Sequence, residues 1–484
     1  MTIERLYDNR DEAKEELGSL FGIGESYDFV MLDIHIRQEP ATIVFMNGLI
    51  SSDVTAQLLT SMQMSDIWDE LEDKITRENF LTYFPFHAVE PAKDKNAMID
   101  SILSGQLVFV MEDGSVFQVD VREYPGRQPE EPDNEKVIRG SRDGFTENII
   151  LNTALIRRRL RDPQLRFEIQ RVTERGRTDI AIGYLKGVAS EQHLDMLKKR
   201  LAEIDHDGLT MSDKQLEELL FKQKFHPVPF VRFTERPDIA AAHLLEGHIA
   251  IVVDTSPSVL LIPVTIFHHL QHAEEFRQAP LIGTGVRAIR FSGMLMAVFL
   301  LPFWYLLVKH PEFVPNALDF IGPKEHGEIP LLFQIIAADI GVEFLRMAAI
   351  HTPTPLSTAL GLIAAVILGQ MAVDVGLFTA EVILYVALTA VVTFAIPSYE
   401  LSISAKIFRT LLLILTALAG PAGFFAGGAI LFWYLCSIKP MGVPYLWPLA
   451  PFFPKAFARV MVRYPMIGSE LRPYITDSPR RQRS

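Results

Sequence analysis

The stretch Leu331–Ile350, LLFQIIAADIGVEFLRMAAI, is followed across His351-Thr352-Pro353-Thr354-Pro355 by Leu356–Asp374, LSTALGLIAAVILGQMAVD. Both are apolar enough, at about 20 residues, to meet the length a bilayer core demands of a spanning helix. Inside the first sit Asp339, Glu343 and Arg346. Ionisable groups cost kilocalories per mole at bilayer depth unless they face protein or water, so this stripe marks a functional site by default. The i, i+4, i+7 spacing puts all three on one helix face, where Arg346 can neutralise a carboxylate. The competing role is an interhelical polar clamp that fixes assembly and meets no ion.

The following segment has two distinct faces. Ser357, Gly361, Ala365 and Gly369 recur every four residues and form a smooth helix-packing surface. Leu356, Ile363, Val366, Ile367, Gln370 and Asp374 occupy the other side. A ring of such helices, packed through the small residues, would turn the aliphatic side chains toward a constriction that gates by dewetting, with Gln370 and Asp374 at a cation-favouring mouth. These six are the pore-lining candidates. In the alternative arrangement the small face packs within the subunit and the aliphatic face meets lipid. With its own face geometry the second segment is the wall, and the charged stripe, whose members can largely satisfy one another, is the support or outer vestibule.

Outward from this pair the chain divides into unlike halves. A net charge of -13 with 22% charged residues is an average over both. Up to about Arg290 the chain is mixed and charged; from Phe291 to Ile438 long apolar segments dominate. The expected fold is a multi-pass α-helical membrane domain preceded by two soluble α/β subdomains, with residues 1–124 as the first, 125–136 as linker, 137–285 as the second, 286–438 as the membrane domain and 439–484 as a basic cytoplasmic tail. The spans are placed at Phe291–Val308, Leu331–Ile350, Leu356–Val373, Glu381–Ile396 and Ile407–Ile438, the last interrupted by Gly420-Pro421-Ala422-Gly423 and long enough for one tilted or two short passages. Arg287 and Arg290 before the first span, and the arginine-rich tail, put both termini in the cytoplasm by the positive-inside bias, with Lys406 and Arg409 as further inside charges. Six passages satisfy this, as do five with a re-entrant Leu331–Ile350.

In the soluble half, strand-like runs cover Phe29–Ile36, Ala41–Met46, Gln106–Met111, Leu165–Val172 and Thr178–Tyr184, with helices near Val54–Met62, Ser65–Ile75, Thr146–Arg161 and Glu191–Ile204. Ile249–Val253 and Val259–Pro263 read as a buried hairpin across a turn-forming Asp-Thr-Ser-Pro-Ser string. The acidic, Pro- and Gly-rich Tyr124–Lys136 separates the subdomains. No internal repeat is visible. Met1–Gly18 is charged and lacks a signal-peptide pattern, so insertion is expected to rely on the internal spans. The single cysteine, Cys436, excludes an intramolecular disulfide and fits a reducing interior.

Several constellations have plain structural roles. His268, His269 and His272 with Glu274 and Glu275 carry metal-ligand types, but no matching second pair of ligands accompanies them, and a polar helix at the membrane surface accounts for them. Gly283-Thr284-Gly285 imitates a dinucleotide fingerprint yet leads into a span instead of opening a helix after a strand. Arg157, Arg158, Arg159 and Arg161 can pair with a helix dipole, acidic neighbours or lipid headgroups. Gly423 and Gly427 form a G-x-x-x-G packing face beside the Gly420-Pro421 kink. No nucleophile with an arranged base and no phosphate loop is found, so neither an enzyme nor a cofactor is indicated, and the acidic total argues against nucleic acid.

The segments Arg139-Gly-Ser-Arg-Asp-Gly-Phe-Thr-Glu147, Glu235-Arg-Pro-Asp238, Leu245-Glu-Gly-His248, Ser256-Pro257, Glu343-Phe-Leu-Arg346, Gly369-Gln370 and Pro397-Ser-Tyr399 resemble the hallmarks of GerA-type spore germination A subunits over nearly the whole chain. The resemblance implies a protein of the spore inner membrane whose membrane domains form a homo-oligomer around a central pore that releases monovalent cations, alongside other germination proteins. A non-conducting scaffold for germination proteins and a solute or dipicolinate transporter are the alternative functions.

Overall fold

The computed structural model describes residues 5–36, 39–64, 80–82, 84, 86, 88–124, 135, 140–315, 321–323, 328–351, 369–465, 472–480 and 482. The chain forms two compact units, residues 1–224 with 231–264 and 469–484, and residues 225–230 with 265–468.

The first unit carries two sheets. Helix α1 (Arg10–Phe21), strands β1 (Phe29–Ile36) and β2 (Glu39–Met46), α2 (Ser52–Met64), β3 (Val89–Pro91), α3 (Lys95–Leu103), β4 (Leu107–Met111) and β5 (Val116–Val119) build the first of them. The second uses α4 (Ile149–Arg159), β6 (Leu165–Val172), β7 (Thr178–Leu185), α5 (Glu191–Ala202), α6 (Ser212–Phe221), β8 (Arg232–Thr234), α7 (Pro237–Leu245), β9 (Ile249–Val253) and β10 (Val259–Ile262). All pairings are antiparallel, with spatial orders β1-β2-β4-β5-β3 and β6-β7-β9-β10-β8. Counted from its own first strand, each sheet has the same order, so a topological repeat exists where the residues show none. A fold of this kind needs the alternation of apolar runs and turns, while the identity of each buried side chain can drift if volume and pattern are kept. β4, β9 and β10 are buried at every residue, which is why they read as unbroken apolar runs. The helix expected at Ser65–Ile75 lies outside the described residues.

Polar groups join the two sheets. Arg157, on α4, is 1% exposed and donates through Nε to Asp28 Oδ2 at 2.9 Å and through Nη2 to Asp28 Oδ1 at 3.2 Å and Leu165 O at 2.9 Å. Ser26 Oγ also donates to Asp28 Oδ1, at 2.6 Å, and accepts from Phe167 N at 3.0 Å. The basic run is thus spent on local partners: Arg159 pairs with Asp143 and Arg158 stacks over Tyr124 at 4.5 Å. Two of the motif segments meet each other, since Arg236 is fully buried and donates to Asp238 and to Ser141 O at 3.0 Å. His243 of α7 and His248, just before β9, are packed edge to face, ring centroids 4.9 Å apart. Burial, with Arg232 and His193 adding to it, pushes the His248 imidazole down to about 4, and His243 also moves well below its ordinary value. Arg472 and Thr476 of the carboxyl-terminal stretch bond Leu245 O and Glu246 O beside this pair, both within the first unit.

The second unit contains α8 (Ile266–Leu270), α9 (Ala273–Arg277), α10 (Pro280–Lys309), α11 (Leu331–His351), α12 (Ala380–Phe394), α13 (Tyr399–Ser437) and α14 (Pro454–Met461). α10 starts at Pro280, ahead of the expected Phe291, because proline is preorganised for the first helical position. Gly283-Thr284-Gly285 therefore lies within the first two turns of a long helix. By length and composition α10 and α13 are sufficient to cross a membrane. Leu301, Trp304, Ile335, Val382, Val386 and Leu413 form the shared core, with Trp304 stacked on Tyr385 at 4.5 Å.

α13 is two helices that meet at a sharp kink and fold back as a hairpin. Gly420 has φ 57° and ψ −135°, a conformation that disfavours any residue with a Cβ, and Pro421 next to it supplies no N–H to continue the ladder. Phe408 and Tyr434 have ring centroids 6.0 Å apart, whereas 26 residues of straight helix would separate them by about 39 Å. A Cβ on Gly427 would sit 2.7 Å from Leu412 Cδ1, and one on Gly423 would collide with Leu415 O. The G-x-x-x-G face thus packs one arm, 421–437, against the other, 399–419.

Two outcomes follow from this packing. Asp28→Ala leaves Arg157 buried without its carboxylate and is expected to cost about 3–5 kcal/mol, read as an earlier denaturant midpoint of the full chain in detergent. The buried histidines bind fewer protons folded than unfolded. The contribution of His248 is complete above the unfolded value of about 6.5 and is lost as pH falls from there through its folded value of about 4, and His243 acts in the same direction. Stability of the first unit should fall by about 3 kcal/mol for His248 across that window, and His248→Gln should flatten the profile.

Candidate functional site

The ionisable residues of α11 face the first arm of α13. Asp339 Oδ1 accepts from Arg409 Nη2 at 2.7 Å, and Arg409 Nη1 donates to Ala297 O of α10 at 2.9 Å and to Thr393 Oγ1 of α12 at 3.4 Å. Lys406 Nζ lies 3.0 Å from both Glu343 Oε2 and Asp339 O. Arg346 Nε donates to Glu343 Oε1 at 3.0 Å, and its guanidinium lies over the Tyr399 ring at 5.0 Å. The two helices run antiparallel, and one turn of spacing on each side, 339/343 against 406/409, brings the charges into register.

Asp339, Glu343 and Arg346 lie together on this stripe: Arg346 pairs with Glu343, while Asp339 is neutralised by Arg409 of α13. Lys406 and Arg409 were expected as cytoplasmic flanking charges. They lie in the first arm of α13, where Arg409, 3% exposed, is ten residues from Tyr399 and about 15 Å along the axis. Their i, i+3 spacing before a long apolar run was the available signal. It was masked because cations at the edge of a span ordinarily mark its boundary.

A cavity of ≈ 70 Å³ adjoins the cluster, lined by Leu301, Ile335, Asp339, Lys406, Arg409 and Leu413. Arg409 Nε is a buried donor without an acceptor among the described residues. Three cations here meet two carboxylates. The positive surplus repels a cation, so the cluster is suited to clamping α10, α11, α12 and α13 and not to carrying a cation.

Of the other candidates, Leu356, Ser357, Gly361, Ile363, Ala365, Val366 and Ile367 lie outside the described residues. Residues 369–374 are helical; Gly369 is half-buried, and Gln370 and Asp374 are exposed one turn apart. The turn that follows is tied to the start of α11, where Gln334 Oε1 accepts from Thr379 N at 2.9 Å and Gln334 Nε2 donates to Ile329 O at 2.7 Å.

Removing one partner of the clamp is expected to be far worse than removing both. Asp339→Ala should lower the melting temperature in detergent, at a cost of about 3–5 kcal/mol, while Asp339→Leu combined with Arg409→Met should recover most of it. Equal damage from the single and the double variant would speak against a clamp.

The chain is 47% identical over 484 residues to stage V sporulation protein AF of Bacillus subtilis (strain 168), covering 99% of this chain and 97% of that protein. It is 30% identical over 489 residues to the uncharacterized membrane protein YfkQ of the same organism, covering 97% and 93%. The crystal structure of the N-terminal domain of the A subunit of the Bacillus megaterium spore germinant receptor GerK3 aligns with 27% identity and a TM-score of 0.41, over 54% of this chain and 98% of that one. The description Bacillus/Clostridium GerA spore germination protein matches residues 15–475. The chain belongs to the GerA family of spore germination proteins.

Proposed function

We propose that this chain is a subunit of an oligomeric, gated monovalent-cation channel that promotes germination, embedded in the spore inner membrane with both termini in the cytoplasm. The observation that carries the proposal is the contrast between two sets of polar residues. Asp339 and Glu343 are consumed by Arg409, Lys406 and Arg346 inside the helix bundle, whereas Gln370 and Asp374 stand exposed at the end of the next apolar segment. The segment Leu356–Asp374 then supplies the conduction wall: Ser357, Gly361, Ala365 and Gly369 pack neighbouring copies, and Leu356, Ile363, Val366 and Ile367 form the dewetted constriction. The α13 hairpin supports six passages over five, because its arms of about 31 Å and 25 Å each approach the bilayer core in length.

Family membership supports the process, and the partners would be further copies of this chain together with other germination proteins. Ile363→Ala, Val366→Ala or Ile367→Ala should loosen the constriction and raise cation leak before any stimulus. Purified protein in planar bilayers should carry current, increased in these variants and reduced in Asp374→Asn. Normally assembled protein that passes no current under any condition would favour the scaffold instead.

A further inference from the structure

We propose that a collar at the base of α10, formed by α9, the loop 447–453 and α14, seats on anionic phospholipid headgroups and fixes the height of the membrane unit. The collar is tied to the base of α10 at several points. Arg287 Nε donates to Glu275 Oε2 at 2.9 Å and Arg290 pairs with the same carboxylate, which is fully buried. Arg287 Nη1 donates to Val460 O at 2.9 Å, Arg463 N to Thr284 Oγ1 at 3.1 Å and Arg463 Nη2 to Phe276 O at 2.6 Å. The end of α14 is thereby held level with residues 284–287 of α10.

That level corresponds to the headgroup region. α10 has 30 residues, about 45 Å, which exceeds the roughly 30 Å hydrocarbon core. With the apolar stretch from Phe291 to Lys309 filling the core, residues 280–290 lie where headgroups are. The surface there has the composition of an interfacial element. Leu281, Ile282, Ile289, Phe452 and Phe453 are exposed, and α14 has no buried residue. On α14, Lys455 and Arg459 are exposed and share one face at i, i+4, opposite Phe457 and Met461.

Charge selects the lipid. Residues 273–290 and 454–463 contain Arg277, Arg287, Arg290, Lys455, Arg459 and Arg463 against Glu274 and Glu275, in a chain of net charge -13. A local basic excess beside exposed aromatic side chains matches an anionic bilayer surface, to which each basic residue within a Debye length adds attraction. The surface is continuous with the membrane unit itself, so a bilayer reaches it without a separate docking event.

The full chain with Cys436→Ser, carrying a nitroxide at Phe452→Cys, tests the placement in nanodiscs that contain phosphatidylglycerol. Collision with oxygen should dominate at position 452, while a label at Glu191→Cys on α5 should collide with a water-soluble nickel complex. Nickel-dominated collision at 452 as at 191 would overturn the proposal and leave the aromatic loop as a surface for a soluble partner. Lys455→Gln with Arg459→Gln alters only exposed side chains. Native mass spectrometry should show its retention of phosphatidylglycerol over phosphatidylcholine reduced several-fold relative to the unaltered chain, and unchanged retention would equally overturn the proposal. Neither readout depends on conduction, so the collar can fail while the channel stands, and the reverse.

Discussion

A charged group withdrawn from water survives only with a partner, and the helices of the second unit are organised around that constraint. Asp339 meets Arg409, and the same guanidinium reaches a carbonyl of α10 and a hydroxyl of α12. Four helices thus converge on one side chain. Its planar set of donors can satisfy a carboxylate and two further acceptors at once, which a lysine at that position cannot do with the same geometry. Around it the apolar contacts, such as Trp304 on Tyr385, fill space without specifying which helix neighbours which. The polar contacts supply that register.

The first unit applies the same rule between its two sheets. Asp28 and Arg157 are both withdrawn from water, and the loss of hydration is offset by Ser26, Leu165 O and Asp162 O, which complete the hydrogen bonding. Because the sheets repeat one strand order, the junction cannot rely on a unique shape alone; a buried charge pair distinguishes the correct mating of two similar bodies.

How much of this was legible in the residues depends on how far apart the partners lie. β1 and β6 were readable end to end because eight-residue runs rich in aliphatic and aromatic side chains signal a strand on their own. β3 and β8, three residues each, carry none, and they exist only because β5 and β10 offer an edge to pair with. Asp339, Glu343 and Arg346 declared themselves by local spacing. Lys406 and Arg409 did not, since their partners lie more than 60 residues away and only tertiary packing brings them in. The G-x-x-x-G of Gly423 and Gly427 was readable as a packing face, but that it closes on Leu412 and Leu415 of its own helix required the Gly420 geometry.

That geometry bears on how the protein is made. From Thr410 to Ile438 the chain contains no Asp, Glu, Lys or Arg. In the proposed arrangement the apex at Gly420 is the only part of the hairpin that must traverse the hydrocarbon, and it carries no charge across. The two arms can therefore partition from the translocon as one preassembled pair, with their closest interface already dry, and Lys406 and Arg409 remain on the near side until Asp339 and Glu343 are in position to receive them.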